Sequence, residues 1–282
     1  MTATDHTVEI NSLNLHYLEW GEAFRPVILL LHGFMGHAHV WDDLASALSP
    51  SYRVLALDQR GHGDSDWSAD ACYGMDQHFA DLSVFIDSLQ VKKLILLGHS
   101  MGGRNALFYT ACRPEKVARL MLVDARITSG QEADPALQRQ ITTLPVRVRQ
   151  IREVEVVLRR LYPHLTAGVC SHIAGHGYRK NNDGWLAPKF DMRMSRQLRK
   201  NGEPLMDLRQ MIGNVTCPVL FVRGKESPFV TQREFNRLRS ALPEATFEEV
   251  PDSTHMPAHE NPEIFKKIVF SFLDHNGMDR DL

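Results

Sequence analysis

The chain has 282 residues, 43% of them hydrophobic and 23% charged, a composition that excludes disordered and collagen-like proteins. Its formal net charge of −2 argues against general nucleic-acid binding, which needs a basic face. The first residues lack the basic and apolar regions of a secretory signal. No apolar run reaches the roughly 18 residues of a membrane span. We therefore expect a cytoplasmic protein without a membrane span.

Short apolar runs alternate with longer amphipathic segments, the pattern of a mostly parallel sheet with crossover helices. Residues 13–19 alternate in polarity and predict an early antiparallel strand. Apolar runs without alternation predict strands buried on both faces at 27–31, 54–57, 94–97 and 120–123. Helical spacing appears at 40–48, 79–89 and 105–112. Strands resume at 217–222 and 246–250, before a last amphipathic helix at 262–273.

The segment 127–213 interrupts this pattern and is more basic than its flanks. Val154, Val157, Leu158 and Leu161 share one helical face, whereas the glycines and asparagines of 175–184 predict a loop. We predict that residues 1–126 and 214–282 form a core domain and that residues 127–213 form an inserted cap, or lid.

The most specific motif is G-x-S-x-G at 98–102, directly after one predicted strand and before a helix. This context is typical of a nucleophile elbow, in which small residues permit a tight turn and expose the serine hydroxyl. The alternative is a glycine-rich turn with an inactive serine. We predict that Ser100 is a nucleophile.

Two further loops follow buried strands. In such sites the first loop, His-Gly-Phe-Met-Gly at 32–36, supplies one backbone N–H of an oxyanion hole and the residue after the serine supplies the other, so we assign these donors to Phe34 and Met101. The second loop, at 58–65, holds two glycines and several hydrogen-bonding side chains. For Asp58 and His62 we favour a role in fixing this loop over a role in catalysis.

The sequences HGFMG, DQRGHGDS and GHSMGG, in this order and spacing, resemble the α/β-hydrolase superfamily and its small bacterial esterases. The resemblance covers nearly the whole chain, and the cap is its least similar part. It implies an α/β-hydrolase fold: a mostly parallel eight-stranded sheet flanked by helices, with an inserted cap. Haloalkane dehalogenases and epoxide hydrolases of this fold attack with aspartate at the elbow, so Ser100 argues against those reactions.

A serine hydroxyl needs a base to act as a nucleophile at neutral pH. His255 follows the strand predicted at 246–250, where this fold carries its histidine, although Thr254 replaces the family's usual glycine. His259 is the nearby alternative. No carboxylate or thiolate pattern accompanies these two histidines, so we predict no metal site there.

The acid that orients the histidine is less evident. Many relatives place an aspartate three residues after the glycine at 224, but this chain has Ser227 there. Another branch of the superfamily supplies the acid after the sixth strand, which corresponds to Asp124. The alternative for Asp124 is a bond to a nearby loop, and Glu226 is the rival acid. We predict that Asp124 completes the triad.

The sequence thus predicts a serine hydrolase that cleaves a carboxylic ester, thioester or lactone through an acyl-enzyme, with no metal or organic cofactor. Its partner is a small-molecule acyl substrate, and the predicted substrate-binding residues of the cap are Trp185, Phe190, Met192 and Met194. Two alternatives remain: a carbon–carbon bond hydrolase or lyase of the same fold, and a non-enzymatic small-molecule receptor. The sequence indicates neither the oligomeric state nor the physiological substrate.

Overall fold

The strands account for the apolar runs of the sequence. The computed structural model describes residues 2–128, 135–194 and 206–275. Its strands are β1 (Thr4–Ile10), β2 (Leu13–Trp20), β3 (Val27–Leu31), β4 (Arg53–Leu57), β5 (Leu94–His99), β6 (Val117–Val123), β7 (Tyr178–Lys180), β8 (Leu186–Pro188), β9 (Val219–Gly224) and β10 (Thr246–Val250). Eight of them form one sheet, in the order β1-β2-β4-β3-β5-β6-β9-β10. β1 and β2 are antiparallel to their neighbours, and the other strands pair in parallel.

The helices are α1 (Asp42–Leu48), α2 (Met75–Ser88), α3 (Met101–Cys112), α4 (Pro135–Thr143), α5 (Ile151–Leu161), α6 (Ala167–Gly177), α7 (Gln232–Ala241), α8 (Pro257–Glu260) and α9 (Pro262–His275). Short 3₁₀ helices lie at Ala38–Trp41, Pro114–Lys116 and Arg209–Asn214. Within the described ranges, no helix combines the length and the apolar character needed to cross a membrane.

Two hydrophobic layers cover the two faces of the sheet. Successive residues of β3 alternate between them: Leu29 and Leu31 pack on one side, and Ile28 and Leu30 on the other. Helices α2, α3 and α7 contribute to the first layer, and α1 and α9 to the second. Because both faces are buried, the central strands contain few polar residues. Because the strands from β3 to β10 in this sheet run parallel, their carboxyl ends lie at one edge of the sheet. The loops with the predicted site residues begin at this edge.

The prediction of a mostly parallel eight-stranded sheet flanked by helices is confirmed. The sequence reasoning did not assign β1, because this edge strand keeps much of its length exposed and carries only a short alternation. Its antiparallel pairing with β2 extends the sheet beyond the apolar runs.

The segment between β6 and β9 forms helices α4, α5 and α6 and the β7–β8 hairpin, with a small hydrophobic cluster of its own. The prediction of a loop from residue 175 was wrong for its first part, because α6 continues to Gly177 and the turn begins after β7. The end of the segment packs elsewhere: Met211 and Ile212 contact the first layer of the main core.

Candidate active site

Ser100 lies between β5 and α3 in a left-handed backbone conformation, with φ of 51°. This conformation is strained for a residue with a Cβ, and it is typical of the turn that exposes a nucleophile. The turn needs small neighbours. A Cβ on Gly98 would lie 2.3 Å from the carbonyl oxygen of Gly102, and a Cβ on Gly102 would lie 2.4 Å from that of Leu31. The amide of Ser100 donates to the carbonyl oxygen of Val123 at 2.9 Å, so β6 fixes the turn.

Asp124 and His255 form a buried pair at the same edge of the sheet. Asp124 follows the last residue of β6, and His255 lies in the loop between β10 and α8. Nδ1 of His255 lies 2.6 Å from Oδ2 of Asp124, and the two residues are 3% and 1% exposed. The ring of Phe229 stacks on the imidazole, with centroids 3.8 Å apart. A proton held on Nδ1 makes Nε2 the ring nitrogen that can accept a proton from a hydroxyl.

Two other groups donate hydrogen bonds to the Asp124 carboxylate. The Ser227 hydroxyl donates to Oδ2 at 2.6 Å, and the amide of Gly224 donates to Oδ1 at 3.2 Å. Burial raises the pKa of Asp124 to about 7, and both hydrogen bonds oppose that rise because they favour the charged form. Ser227 occupies the position at which the family resemblance implies an aspartate in many relatives, and here its hydroxyl binds Asp124, the predicted acid.

Glu226, the rival acid, is directed away from this pair. Its side chain is 52% exposed, and its Oε2 lies 3.2 Å from Nε2 of His164 in the inserted segment. Its amide donates to the carbonyl oxygen of Ser253 at 2.9 Å, which fixes the backbone next to the His255 loop. Glu226 is therefore a link between loops at the surface.

His99, the residue before Ser100, connects the elbow to the histidine loop, a contact that the sequence reasoning missed. Its Nε2 lies 2.7 Å from the carbonyl oxygen of His255, and the two imidazole centroids are 4.6 Å apart. Burial lowers the pKa of His99 to about 3, so the ring is neutral and donates from Nε2. His99 is the last residue of β5 and directly precedes Ser100, and this position was the signal in the sequence that it lies at the site.

A cavity of about 60 Å³ lies beside the Asp124–His255 pair. The core lines it with loop 33–36, Val40, Trp41, His99, Val123 and residues 255–259; the inserted segment lines it with Gln140, Leu144, Leu158, Tyr162 and Ile173. Ser100 directly follows His99 in the chain and lies against the loop that lines the cavity: a Cβ on Gly33 would be 3.2 Å from the Cβ of Ser100. The predicted nucleophile and base are thus brought to one place.

Of the two residues assigned to the oxyanion hole, Met101 directly follows Ser100, and Phe34 follows Gly33, at which an added Cβ would lie 3.2 Å from the Cβ of Ser100. Phe34 lines the cavity, and Met101 is the first residue of α3. The first N–H groups of a helix have no partner within the helix, so the amide of Met101 is available to a developing negative charge. The assignment of these two donors remains a prediction.

His32 and Asp58 hold the loops around the site. Nδ1 of His32 lies 2.8 Å from the carbonyl oxygen of Gly33, and its Nε2 accepts from the amide of Gln59 at 3.0 Å. Burial lowers the pKa of His32 to about 4, so a single neutral tautomer satisfies both bonds. The Asp58 carboxylate accepts from the amides of Ala38 and Asp64, at 2.6 and 2.9 Å. These contacts support a role in fixing the loops.

His62 and His259 are also held by backbone carbonyl groups. Nδ1 of His62 lies 3.1 Å from the carbonyl oxygen of Arg60, and Nε2 of His259 lies 2.7 Å from that of Val40. Burial lowers the pKa of His259 to about 4. His255, in contrast, has a carboxylate on its Nδ1, which favours it over His259 as the base.

The four cap residues predicted to bind substrate lie outside the lining of this cavity. The guanidinium groups of Arg147 and Arg149 lie over the Trp185 ring, 4.4 and 3.7 Å from its centroid. Phe190 packs near Phe34, with ring centroids 6.1 Å apart. Met194 is buried and Met192 is partly buried. Contact of these four residues with a substrate remains a prediction.

We expect Ser227→Ala to lower kcat about tenfold, because a hydrogen bond to a charged group contributes about 1.5–3 kcal/mol and part of this changes during catalysis. Loss of the donor to Oδ2 further raises the pKa of Asp124, so the acidic limb of the kcat/KM profile should move to higher pH. Ser240→Ala, on the exposed face of α7, is the matched control. An unchanged acidic limb would contradict this role of Ser227.

Residues 26–161 match the model of the family described as the alpha/beta hydrolase fold. A 2-(acetamidomethylene)succinate hydrolase of Mesorhizobium japonicum is 30% identical over 276 residues, which cover 96% of this chain and 97% of that protein. The chain therefore belongs to the α/β-hydrolase family.

Several relatives are similar along most of their length. The crystal structure of E-2-(acetamidomethylene)succinate hydrolase matches with a TM-score of 0.86 and 29% identity, covering 97% of this chain and 100% of that one. An sn-1-specific diacylglycerol lipase of Mus musculus is 29% identical, covering 90% of this chain and 82% of the relative. A 3-hydroxybutyrate-oligomer hydrolase of Cupriavidus necator is 28% identical, covering 90% and 92%. These hydrolytic relatives support an enzyme.

Proposed function

We propose that the protein is a serine hydrolase that cleaves esters of small acyl groups through an acyl-enzyme. The observation that carries this proposal is the 2.6 Å contact between Asp124 and His255 beside the strained turn of Ser100. A carboxylate on Nδ1 keeps the imidazole in the tautomer that accepts a proton at Nε2. Ser100 thereby becomes a nucleophile near neutral pH.

The reaction follows from these positions. The Ser100 oxygen forms a bond to the ester carbonyl carbon while its proton passes to Nε2 of His255, and the amides of Phe34 and Met101 donate to the oxyanion. The carbon–oxygen bond to the alcohol breaks as His255 returns the proton to the leaving group. A water molecule, deprotonated by His255, then attacks the acyl-enzyme and releases the carboxylic acid and Ser100.

The cavity supports a short, apolar acyl group. Aliphatic and aromatic side chains dominate the lining, and the lining residues within the described ranges include no lysine or arginine. Its volume is about 60 Å³, whereas a cavity of about 150 Å³ holds benzene, so it suits roughly two to four carbon atoms. Thioesters and lactones of similar acyl groups present the same carbonyl and belong to the proposed substrate class.

Amide hydrolysis is the second candidate. It is favoured by the 30% identity to a protein whose named substrate carries an acetamido group. That name also describes a succinate, and two carboxylates need cationic partners, which the described lining of this cavity lacks. We therefore rank esters first. Carbon–carbon bond cleavage, the enzymatic alternative predicted from the sequence, ranks below both, because its usual relatives carry the late aspartate that Ser227 replaces.

The segment 127–213 is proposed to act as a cap that sets acyl selectivity. It has its own hydrophobic cluster, and α4, α5 and α6 each contribute to the lining of the cavity. Leu144 lies just after α4 and contacts the cavity, whereas Leu161, at the end of α5, packs in the cap away from it. These two leucines therefore offer a matched comparison.

We expect p-nitrophenyl acetate to butanoate to be the best substrates in a panel of increasing chain length, with kcat/KM falling about tenfold or more by the octanoate, because the cavity cannot hold the longer chain. Leu144→Ala should move the optimum by about two carbon atoms to longer chains, and Leu161→Ala should leave it unchanged. An acyl-coenzyme A, a lactone and an N-acetyl amide complete the panel. Absence of turnover on every substrate would favour the receptor, and an amide preferred over all esters would favour the second candidate.

A further inference from the structure

Four side chains of the types that bind metal ions lie together where the inserted segment contacts the core. None of them belongs to the Asp124–His255 pair. His39 lies in the 3₁₀ helix Ala38–Trp41, and Asp42 begins α1. His172 and His176 lie on α6 with a spacing of four residues, which places both on one face of that helix. The core and the cap thus contribute two groups each.

The distances among these four side chains are short. The His39 and His176 rings stack with centroids 3.7 Å apart, and the His172 and His176 centroids are 4.8 Å apart. Nδ1 of His39 and Nε2 of His172 lie 3.1 and 3.2 Å from Oδ2 of Asp42. One possible ligand atom each from His39, Asp42 and His176 lies within 4.8 Å of the others.

Within the described residues, one of the two carboxylate oxygens of Asp42 has polar partners and the other has none. Oδ2 faces two histidines, whereas Oδ1 is inaccessible to solvent and has no hydrogen-bond partner in the described part of the chain. Although burial opposes ionisation, the hydrogen bonds from His172 and His39 lower the pKa of Asp42 to about 2, so the group is a carboxylate. A buried carboxylate oxygen without a partner is costly unless a cation or donor reaches it.

The ring nitrogens of the histidines are also placed to bind a cation. One ring nitrogen of His176 lies within 4.8 Å of a possible ligand atom of His39 and of Asp42, and a neutral imidazole carries a lone pair that binds metals. His39, with Nδ1 directed to Asp42, keeps Nε2 as a second possible ligand. Nε2 of His172 lies 3.0 Å from the carbonyl oxygen of His39 and 3.2 Å from Oδ2 of Asp42, so this ring is directed at both core residues of the cluster.

A second cluster, formed by His16, Asp58 and Asp64, lacks this property. The oxygens of Asp58 already accept from the amides of Ala38 and Asp64, and Nδ1 of His16 lies 2.8 Å from Oδ2. The Asp58 carboxylate is therefore satisfied by the protein, and Asp64 accepts from Lys189 at 2.6 Å. Of the described residues in these two clusters, Asp42 is the one with a buried oxygen that lacks a hydrogen-bond partner.

We propose that His39, Asp42 and His176 bind a divalent transition-metal cation of the zinc class, with His172 as the group that orients Asp42. Imidazole nitrogens with a carboxylate oxygen are a donor set that suits Zn²⁺, Ni²⁺ and Cu²⁺ rather than Mg²⁺ or Ca²⁺. Ligand atoms about 2.0–2.2 Å from a tetrahedral ion are roughly 3.3–3.6 Å apart, so modest side-chain rotations close the present spacing.

The bound ion would fasten α6 to the core at the wall of the cavity. Val40 follows His39, Ile173 follows His172, and both line the cavity. The carbonyl oxygen of Ile173 also lies 3.0 Å from Nε2 of His37, which belongs to the loop after β3. The ion would therefore hold the cap closed over the acyl pocket. Binding of the ion at this site does not require the proposed ester hydrolysis.

The test is equilibrium dialysis of the metal-free full-length protein against ZnCl₂, with zinc and protein measured in the same samples. We expect one zinc per chain and a higher melting temperature. His176→Gln and Asp42→Asn should each weaken binding by about tenfold or more. His164→Gln and His255→Gln are the matched controls and should keep one zinc, because neither histidine belongs to the cluster.

Cobalt(II) provides a second measurement that needs no variant. The wild type with one equivalent of Co²⁺ should show the visible absorption of a four-coordinate ion, and zinc should displace it. Uptake of no zinc by the wild type, or wild-type affinity in His176→Gln, would overturn the proposal. Loss of the ion in His255→Gln alone would also overturn it, because the ion would then lie at the triad.

Discussion

Replacing Ser100 with alanine is expected to lower kcat by about five orders of magnitude or more, because the substitution removes the attacking oxygen and leaves only binding and oxyanion stabilisation. The fold should persist, since the change deletes a single atom at a partly buried turn whose backbone hydrogen bonds involve no side chain. The measurement is kcat on a short p-nitrophenyl ester, with circular dichroism to compare the folds.

A fluorophosphonate probe separates this loss from general inactivation. The probe reacts with an activated serine, so it should label the wild type and leave Ser100→Ala unlabelled. Ser240→Ala, which removes an exposed hydroxyl on α7, should be labelled like the wild type. Persistent labelling of Ser100→Ala would identify a different nucleophile and would remove the basis of the proposed function.

Asp124→Asn is expected to lower kcat by about three to four orders of magnitude, as for other triad aspartates. The amide retains the size of the carboxylate but cannot stabilise the imidazolium, and its NH₂ group favours the wrong tautomer of His255. Glu226→Gln makes the same chemical change at the surface, where the side chain contacts His164, and should cost tenfold or less. The two kcat values should be measured side by side.

The comparison of these two variants is informative because Asp124 and Glu226 each follow a strand, and both strands end at the same edge of the sheet. A large loss of kcat in Glu226→Gln, with kcat nearly unchanged in Asp124→Asn, would show that the acid follows β9. Asp124 would then serve only to bind the loop of Gly224 and Ser227. Unfolding of Asp124→Asn would be detected by circular dichroism, and Asp124→Glu then provides a variant that keeps the charge.

The core of the fold is predictable from sequence because its strands are buried on both faces. Runs such as 27–31 and 94–97 contain no alternation and end at loops with clear turn residues, so both the element and its end are visible. β1 and the end of α6 were missed for opposite reasons. The former is largely exposed, and the latter carries Gly175 and Gly177, residues of low helix propensity that nevertheless lie within α6.

The site is partly predictable, because a motif names residue types but not the groups that surround them. The absence of aspartate at position 227 favours Asp124 as the acid. The hydrogen bond from the Ser227 hydroxyl to Oδ2 of Asp124, in contrast, depends on the relative position of two strand ends, which a motif does not indicate. The histidine cluster unites residues 39 and 42 with 172 and 176. The spacings of His172 with His176 and of His39 with Asp42 were its local signs, but the approach of one pair to the other depends on how α6 packs on the core.

The contact between Ser227 and Asp124 bears on how such a triad changes over evolutionary time. The hydroxyl of Ser227 reaches the same carboxylate oxygen that binds His255, so the two positions from which this superfamily supplies its acid converge on one point in space. An ancestor with aspartate at both positions would hold two carboxyl groups within reach of each other, which would raise the pKa of one of them. In its protonated form that acid would donate to its neighbour as the serine hydroxyl does here. The acid can therefore migrate from one strand to another through a sequence that never loses the hydrogen bond to the histidine.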